Sequence, residues 1–302
     1  MFNHPRKSHS LQIYEILNRR KTLSHSDISY LYNLKKGYQG EVIFSKAIKK
    51  YIDPTHHKIF DLNITVSGST TQCDALLFTK DALLHFEIKN QSGDYYIKDG
   101  NWYHLSSNQQ INNPIHQTMR TNRLIKNFLN QHQINLEVKS FTVFVHPQFH
   151  LYYAPINRQT IFPNQIKHFL ENLNQTTSKN YTHTDIYKLF MDSHINKLPH
   201  EILPEYTYEE LKKGIFCGNC NKGLTYSKGK YNVCEFCQSK STVLDIIIKH
   251  TYDFSELFPD KKITVNNLYL WLDKSISKWT IRSSLNQKLK FIDNGRYSYY
   301  EF

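Results

Sequence analysis

CDALLFTKDALLHFEIKN (Cys73–Asn90) reads as two short apolar strands joined at Lys80-Asp81. It nevertheless carries Asp74, Glu87 and Lys89. Unpaired charges buried in such a hairpin cost several kcal/mol, on the order of a lost hydrogen bond or more. Either they face water and form cross-strand salt bridges, or they face one another and a cation. A turn with two or four loop residues sets Asp74 opposite Glu87 and Gln72 opposite Lys89. Facing side chains lie about 5 Å apart at Cβ. Cys73, Ala75, Leu77, Leu84, Phe86 and Ile88 then share the other, wholly apolar face. A three-residue loop breaks this register.

Two carboxylates that close repel unless a cation sits between them. Hard oxygen ligands suit Mg²⁺ or Mn²⁺. Lys89, two residues beyond Glu87, points to the same face. Its ammonium is placed to orient water or to offset charge on a pentacovalent phosphate.

Working outward, residues 9–33 read as helical, with Leu11, Ile13, Tyr14, Ile16 and Leu17 on one face. A second helix is expected from Gly40 to Tyr51, with Val42, Ile43, Phe44, Ala47 and Ile48 as its apolar stripe. Strands are expected at HKIFDLNITV, through the hairpin, at YYIKDGNWYHL and at SFTVFVHP. A helix from about Ile115 to His132 carries Met119, Leu124, Ile125, Phe128 and Leu129. This order predicts an α/β domain with a mixed sheet flanked by helices.

The ordered set GYQGE (Gly37–Glu41), QCDALLF (Gln72–Phe78), HFEIKNQSGDYYIKDGNW (His85–Trp102) and NNPIHQ (Asn112–Gln117) resembles the nuclease-related domain (NERD) family of the PD-(D/E)xK nuclease superfamily. The resemblance covers residues 35–145. It implies a restriction-endonuclease-like core and metal-dependent phosphodiester hydrolysis, with DNA the expected substrate. It implies Asp74 and Glu87 as Mg²⁺ (or Mn²⁺) ligands and Lys89 as the catalytic lysine. Glu41 becomes a further acidic site residue, and Gln117 a polar one on the later helix. Cys73 stands where a β-branched residue or Leu is expected. The Q-x3-Y pattern of RecB-like nucleases is absent, since Thr121 follows Gln117 by four. The alternative is a nucleic-acid-binding or regulatory protein whose nuclease-like domain recruits without cutting.

CGNC (Cys217–Cys220) and CEFC (Cys234–Cys237) form two CxxC pairs, the spacing of a four-thiolate structural Zn²⁺ site in a small ribbon. Lys222, Lys228 and Lys230 lie between the pairs. Beyond them, NNLYLWLDK and SKWTIRSSLNQKLKFI resemble the second and third helices of a winged helix, and NGRYSYYEF its wing. Ile281, Leu285 and Leu289 recur at helical spacing as a buried stripe. Lys278, Arg282, Lys290 and Arg296 are then nucleic-acid contacts, with Arg120 and Arg123 candidates on the earlier helix. A protein-docking role for these C-terminal modules is the competing expectation.

The expected division is therefore 1–34, an N-terminal helical segment; 35–175, the nuclease domain; 176–213, a linker; 214–240, the zinc ribbon; and 241–302, the winged-helix-like domain. A net charge of +12 with 21 Tyr suits a polyanionic partner. No apolar run reaches a membrane span and no signal core follows the N-terminal basic residues, so a cytoplasmic location is expected.

Overall fold

The protein is described from a computed structural model over residues 4–176, 183–195, 203–226 and 231–302. It divides into two units. The first takes residues up to 9 and the described residues from 32 to 195; the second takes 10–31 and the described residues from 203 onward.

The first unit begins within helix α2 (His25–Tyr51). It continues through β1 (Lys58–Val66), β2 (Ser69–Phe78), β3 (Ala82–Lys89), β4 (Gly93–Lys98), β5 (Asn101–His104) and β6 (Gln110–Ile111). Then come α3 (Pro114–Gln131), β7 (Glu137–Phe144), β8 (Phe149–Tyr152), β9 (Thr160–Ile161), α4 (Ile166–Thr176) and α5 (Thr184–Asp192). The main sheet has the order β1-β2-β3-β7-β9, antiparallel up to β3 and parallel beyond it. This is the mixed sheet flanked by helices that the strand order predicts. A second sheet, β6-β5-β4-β8, closes over Tyr95, Trp102, Phe144 and Phe149.

The β2–β3 turn has the two-residue loop Lys80-Asp81, closed by Thr79 N–H donating to the Ala82 carbonyl at 3.0 Å. One face of the sheet packs Ala75, Leu77, Leu84, Phe86 and Ile88 against Phe44 and Ile48 of α2 and Ile52 just beyond it. The other packs Leu76, Phe78 and Leu83 against Ile125, Phe128 and Leu129 of α3.

Cys73 departs from the simple alternation. It lies in the α3-side core rather than with Ala75. The cause is Asp61, whose left-handed backbone (φ 55) interrupts β1 opposite Asp74. The β1–β2 ladder runs Phe60↔Ala75, skips one pair and resumes at Leu62↔Cys73. Residues beyond the skip therefore face the opposite way from strict alternation. Gln72 does not reach Lys89 either: the β2–β3 ladder ends at Ala75↔Phe86, and the Gln72 amide donates to Asp61 Oδ1 at 3.0 Å.

Residues 9–33 are not one helix. α1 (His9–Arg20) ends, and Ser24 then starts α2 by accepting from Asp27 N–H at 3.1 Å while its hydroxyl donates to the Asp27 carboxylate at 2.7 Å. α2 therefore begins at His25 and runs straight through Gly37 and Gly40. Ile43 and Met119, expected in apolar stripes, are exposed. Gly40 is there for space. A Cβ on it would meet Asn90 Cβ at 2.7 Å and Val145 Cγ2 at 3.3 Å, whereas one on Gly37 meets nothing within 4 Å. Gly40→Ala should thus destabilise by about 1–2 kcal/mol. Gly37→Ala should stabilise by about 0.5–1 kcal/mol through helix propensity. Urea melts of the two variants check this contrast.

The second unit holds α1, the residue 25–31 end of α2, the cysteine ribbon, α6 (Val243–Leu257), α7 (Val265–Trp271), α8 (Lys278–Lys288), and the hairpin β12 (Lys290–Ile292) with β13 (Tyr299–Glu301). The ribbon contributes the two-residue strands β10 (Asn232–Val233) and β11 (Lys240–Ser241). The expected 1–34 segment is not separate, because α1 shares this core. Arg19 pairs with buried Asp253 of α6 at 2.9 Å. Arg20, fully buried, lies 3.8 Å from the Trp271 ring centre and donates to the Lys212 carbonyl at 2.8 Å. Nor are 214–240 and 241–302 independent: Phe216 N–H donates to His250 Nε2 of α6 at 2.9 Å. Of the expected 176–213 linker, α5 belongs to the first unit; residues 177–182 and 196–202 lie outside the described residues.

Candidate active site and metal centre

The site forms at the C-terminal end of β3, where parallel pairing with β7 brings Lys89 beside Phe144. Asp74 and Glu87 are buried, with 9% and 2% exposure, and Lys89 is partly exposed. Asp74 Oδ2 accepts the Ile88 N–H at 2.7 Å. Lys89 Nζ donates to Glu87 Oε1 at 2.8 Å and to Gln117 Oε1 at 2.7 Å.

Local sequence explains each placement. Asn113 caps α3 by accepting from Ile115 N–H at 3.0 Å, and Pro114 occupies its first turn. That fixes the start of α3 so that Gln117, one turn in, reaches Lys89. Thr118 and Thr121 pin the helix to the sheet through Thr142 (2.7 Å) and Thr71 (3.0 Å). Thr121 is buried in this contact. Asn90 donates to the Lys36 carbonyl at 2.7 Å, holding the Gly40 turn of α2 against the end of β3. Glu41 follows Gly40 and arrives half-buried beside the other acids.

The electrostatics are those of crowded acids. Burial, then the neighbouring Asp61 and Glu87 charges, push Glu41 up to about 7. Burial, then Glu87 and Glu41, hold Asp74 well above the usual carboxylate range, against the Ile88 N–H and Lys89. Burial raises Glu87 too, with Lys89 opposing. Glu87 Oε2 is buried with no hydrogen-bond partner. A buried, orphaned carboxylate oxygen among like charges fits a divalent cation. The donor set is oxygen throughout, the chemistry of Mg²⁺ or Mn²⁺.

Asp61 is the residue that sequence reasoning misses. It is buried and bridged by Arg6 (3.4 Å) as well as by Gln72. Its signal was an acid inside the apolar run KIFDLNITV. His85 shares the strand face of Glu87 but is fully buried, bonded through Nδ1 to Ser140 Oγ at 3.1 Å. Burial holds it neutral, down to about 3.

The acid cluster makes a pH prediction. Glu41 binds its proton more tightly folded (about 7) than a free glutamate does (4.5). Its charge therefore weighs against folding increasingly from pH 4.5 to 7 and fully above. Without added divalent cation, Glu41→Gln should be more stable than wild type at pH 8, and that advantage should vanish below pH 4.5. Thermal melts across pH check this; a pH-independent difference contradicts it.

Among the described residues, Cys217, Cys220, Cys234 and Cys237 are the one group of three or more His, Cys, Asp or Glu with ligand atoms all within 4.8 Å of one another. The four can hold a metal ion. Each pair makes the same knuckle. Asn221 N–H donates to the Cys217 carbonyl at 3.1 Å, and Gln238 N–H to the Cys234 carbonyl at 2.9 Å. Asn221 (φ 61) and Gln238 (φ 57) both turn left-handed after the second cysteine. Hydrogen bonds from the Ser239 hydroxyl and backbone hold Cys237 down to about 5, whereas Cys220, against the Lys222 backbone, is raised to about 12 by burial and the other three thiols. Lys222 lies beside the first knuckle; Lys228 and Lys230 lie outside the described residues.

The expected nucleic-acid contacts divide. Lys278, Arg282 and Arg296 line one groove of about 850 Å³ in the second unit, with Asn286, Phe291 and Tyr300. Lys290 is exposed but does not line it, and Arg120 is exposed on α3 of the first unit. Ile281, Leu285 and Leu289 are buried, and Tyr300 N–H donates to the Ile263 carbonyl at 2.9 Å, tying the terminal hairpin to the start of α7. No helix among the described residues is long and apolar enough to cross a membrane.

No curated protein gives a significant match to the sequence. A solved structure similar in part is protein VC1899 from Vibrio cholerae, 11% identical, with 62% of this chain and 52% of that one aligned at a TM-score of 0.27. The alignment thus spans about half of that protein's length. The model of the nuclease-related domain family matches residues 36–145. That stretch runs from the Gly40 turn of α2, through Asp74, Glu87, Lys89 and Gln117, to the end of β7. Residues 36–145 of this chain are thus similar to a nuclease-related domain.

Proposed function

We propose that the protein hydrolyses phosphodiester bonds of DNA, with Asp74 and Glu87 holding Mg²⁺ (or Mn²⁺). The observation that carries this reading is the orphaned Glu87 Oε2, buried beside Asp74 and a half-buried Glu41. When bound, the cation supplies Lewis-acid polarisation of the scissile phosphate and a more acidic water. Lys89 presents a positive charge where the phosphate gains negative charge, and that stabilises the transition state more than the ground state. Glu87 and Gln117 hold its ammonium from two sides, which preorganises it. Glu41 adds a third carboxylate to draw in the cation. The cysteine site takes one structural Zn²⁺, since four thiolates leave no open position. The second unit supplies nucleic-acid affinity through a winged-helix-like arrangement of α6–α8 and the terminal hairpin.

The test is incubation with duplex DNA, single-stranded DNA and RNA in Mg²⁺, in Mn²⁺ and without divalent cation. Cleavage of DNA only with the cation supports the reading. Binding without cleavage under every condition favours a domain that recruits without cutting.

A further inference from the structure

The groove of the second unit gathers three cations, Lys278, Arg282 and Arg296, and no acid. Large exposed rings adjoin its cations in sequence, Trp279 after Lys278 and Tyr297 after Arg296, and Phe291 lines it. Trp279 is 78% exposed, Tyr297 79% and Phe291, in the groove wall, 50%. On α8, Trp279, Arg282 and Asn286 recur three and seven residues apart, so they share one face. The opposite face, Ile281 and Leu285, is buried. The chain's other two tryptophans, Trp102 and Trp271, are both buried. Exposing the third gains nothing for folding, whereas an exposed ring beside cations is a platform on which a base can stack.

Cations alone would suit any polyanion. Flat rings interleaved with them select a partner with both phosphates and accessible flat faces. In a duplex the base faces are hidden in the stack; in a single strand they are free. We propose that this groove binds single-stranded nucleic acid, with phosphates on Lys278, Arg282 and Arg296 and unpaired bases stacked on Trp279, Phe291 and Tyr297. The proposal rests on the reading that the chain acts on nucleic acid and deepens it by naming the strand state.

The full-length Asp74→Ala protein, which leaves the oligonucleotide intact, is titrated without added divalent cation. The probes are a single-stranded dT oligomer of roughly 15 nucleotides, near the site size of single-strand binders, and a duplex of equal length. Expected are tighter binding of the single strand by fluorescence anisotropy and quenching of tryptophan emission, which reports the exposed Trp279. Adding Trp279→Ala should weaken binding about 5- to 100-fold, and Trp279→Phe should largely retain it. Arg282→Ala with Arg296→Ala should reduce the salt slope of binding by about 1.4. Equal or tighter duplex binding, or undiminished binding in Trp279→Ala, overturns the proposal. Failure of the wild type to cleave, with strand binding intact, would count against the hydrolytic reading alone. Circular dichroism and zinc content verify that each variant is folded.

Discussion

Lys89→Met should lower the single-turnover rate of DNA cleavage about 100- to 1000-fold, the range seen when one preorganised transition-state donor is lost. The substitution keeps the length of the side chain and removes its charge. In the folded protein that charge sits 2.8 Å from Glu87 and 2.7 Å from Gln117. It is not a surface ammonium free to wander, so its contribution is directional. Glu87, only 2% exposed, then loses the ammonium 2.8 Å from its Oε1, and burial already raises its pKa. A shift of the cation dependence to higher pH should accompany the slower rate. Calorimetric Mn²⁺ binding at pH 8 should survive within a few-fold. Loss of rate with retained binding separates a transition-state role from a ground-state one. Wild-type rates in Lys89→Met contradict the role given to it here. Gln117→Ala should have a smaller effect in the same direction, because Glu87 still holds the ammonium.

Removing one thiolate should unfold the ribbon. Cys217→Ser leaves three sulfur ligands, and Cys217 is one of the two buried members of the set. Regular strand pairing in this segment is short: β10 and β11 pair over two residues each. Metal binding in such small sites supplies on the order of 10 kcal/mol of folding free energy. Purified protein should contain one Zn²⁺ per chain by elemental analysis. Cys217→Ser should lose it and become cleavable by protease between residues 217 and 241, while the first unit stays resistant. Its core contains none of these cysteines. Cys73→Ala should keep the zinc, since Cys73 is buried in the sheet core. A wild-type protein free of zinc after purification without chelator contradicts the assignment.

The hairpin register was legible because its causes are local. Alternation of apolar residues and the two-residue Lys80-Asp81 turn together place Asp74 and Glu87 on the face that also carries Leu76 and Leu83. The metal knuckles were legible for the same reason, since CxxC spacing is a short-range constraint. What could not be read depends on residues far apart in sequence. Asp61 turns left-handed opposite Asp74, flips Cys73 to the other core and is bridged by Arg6 from the N-terminal arm. The acid inside KIFDLNITV is visible locally, but its left-handed turn and its Arg6 partner, 55 residues away, are not. Likewise, α1 looks like a free-standing amphipathic helix until Arg19 and Arg20 are seen paired with Asp253 and stacked on Trp271. The expected second helix starts at Gly40, whereas α2 begins at His25 and passes through both Gly37 and Gly40. Gly40 in fact serves the close approach to Asn90 that brings Glu41 in.

The most direct measurement is the single-turnover cleavage rate of a DNA substrate in Mg²⁺ by wild type and by Asp74→Ala. The two preparations are matched for zinc content and melting temperature. Metal-dependent cleavage by wild type and none above background by Asp74→Ala is the predicted result. Equal rates in the two proteins, or a wild-type rate unchanged when Mg²⁺ is omitted, would show that the chemistry lies elsewhere than in the carboxylates at the end of β3.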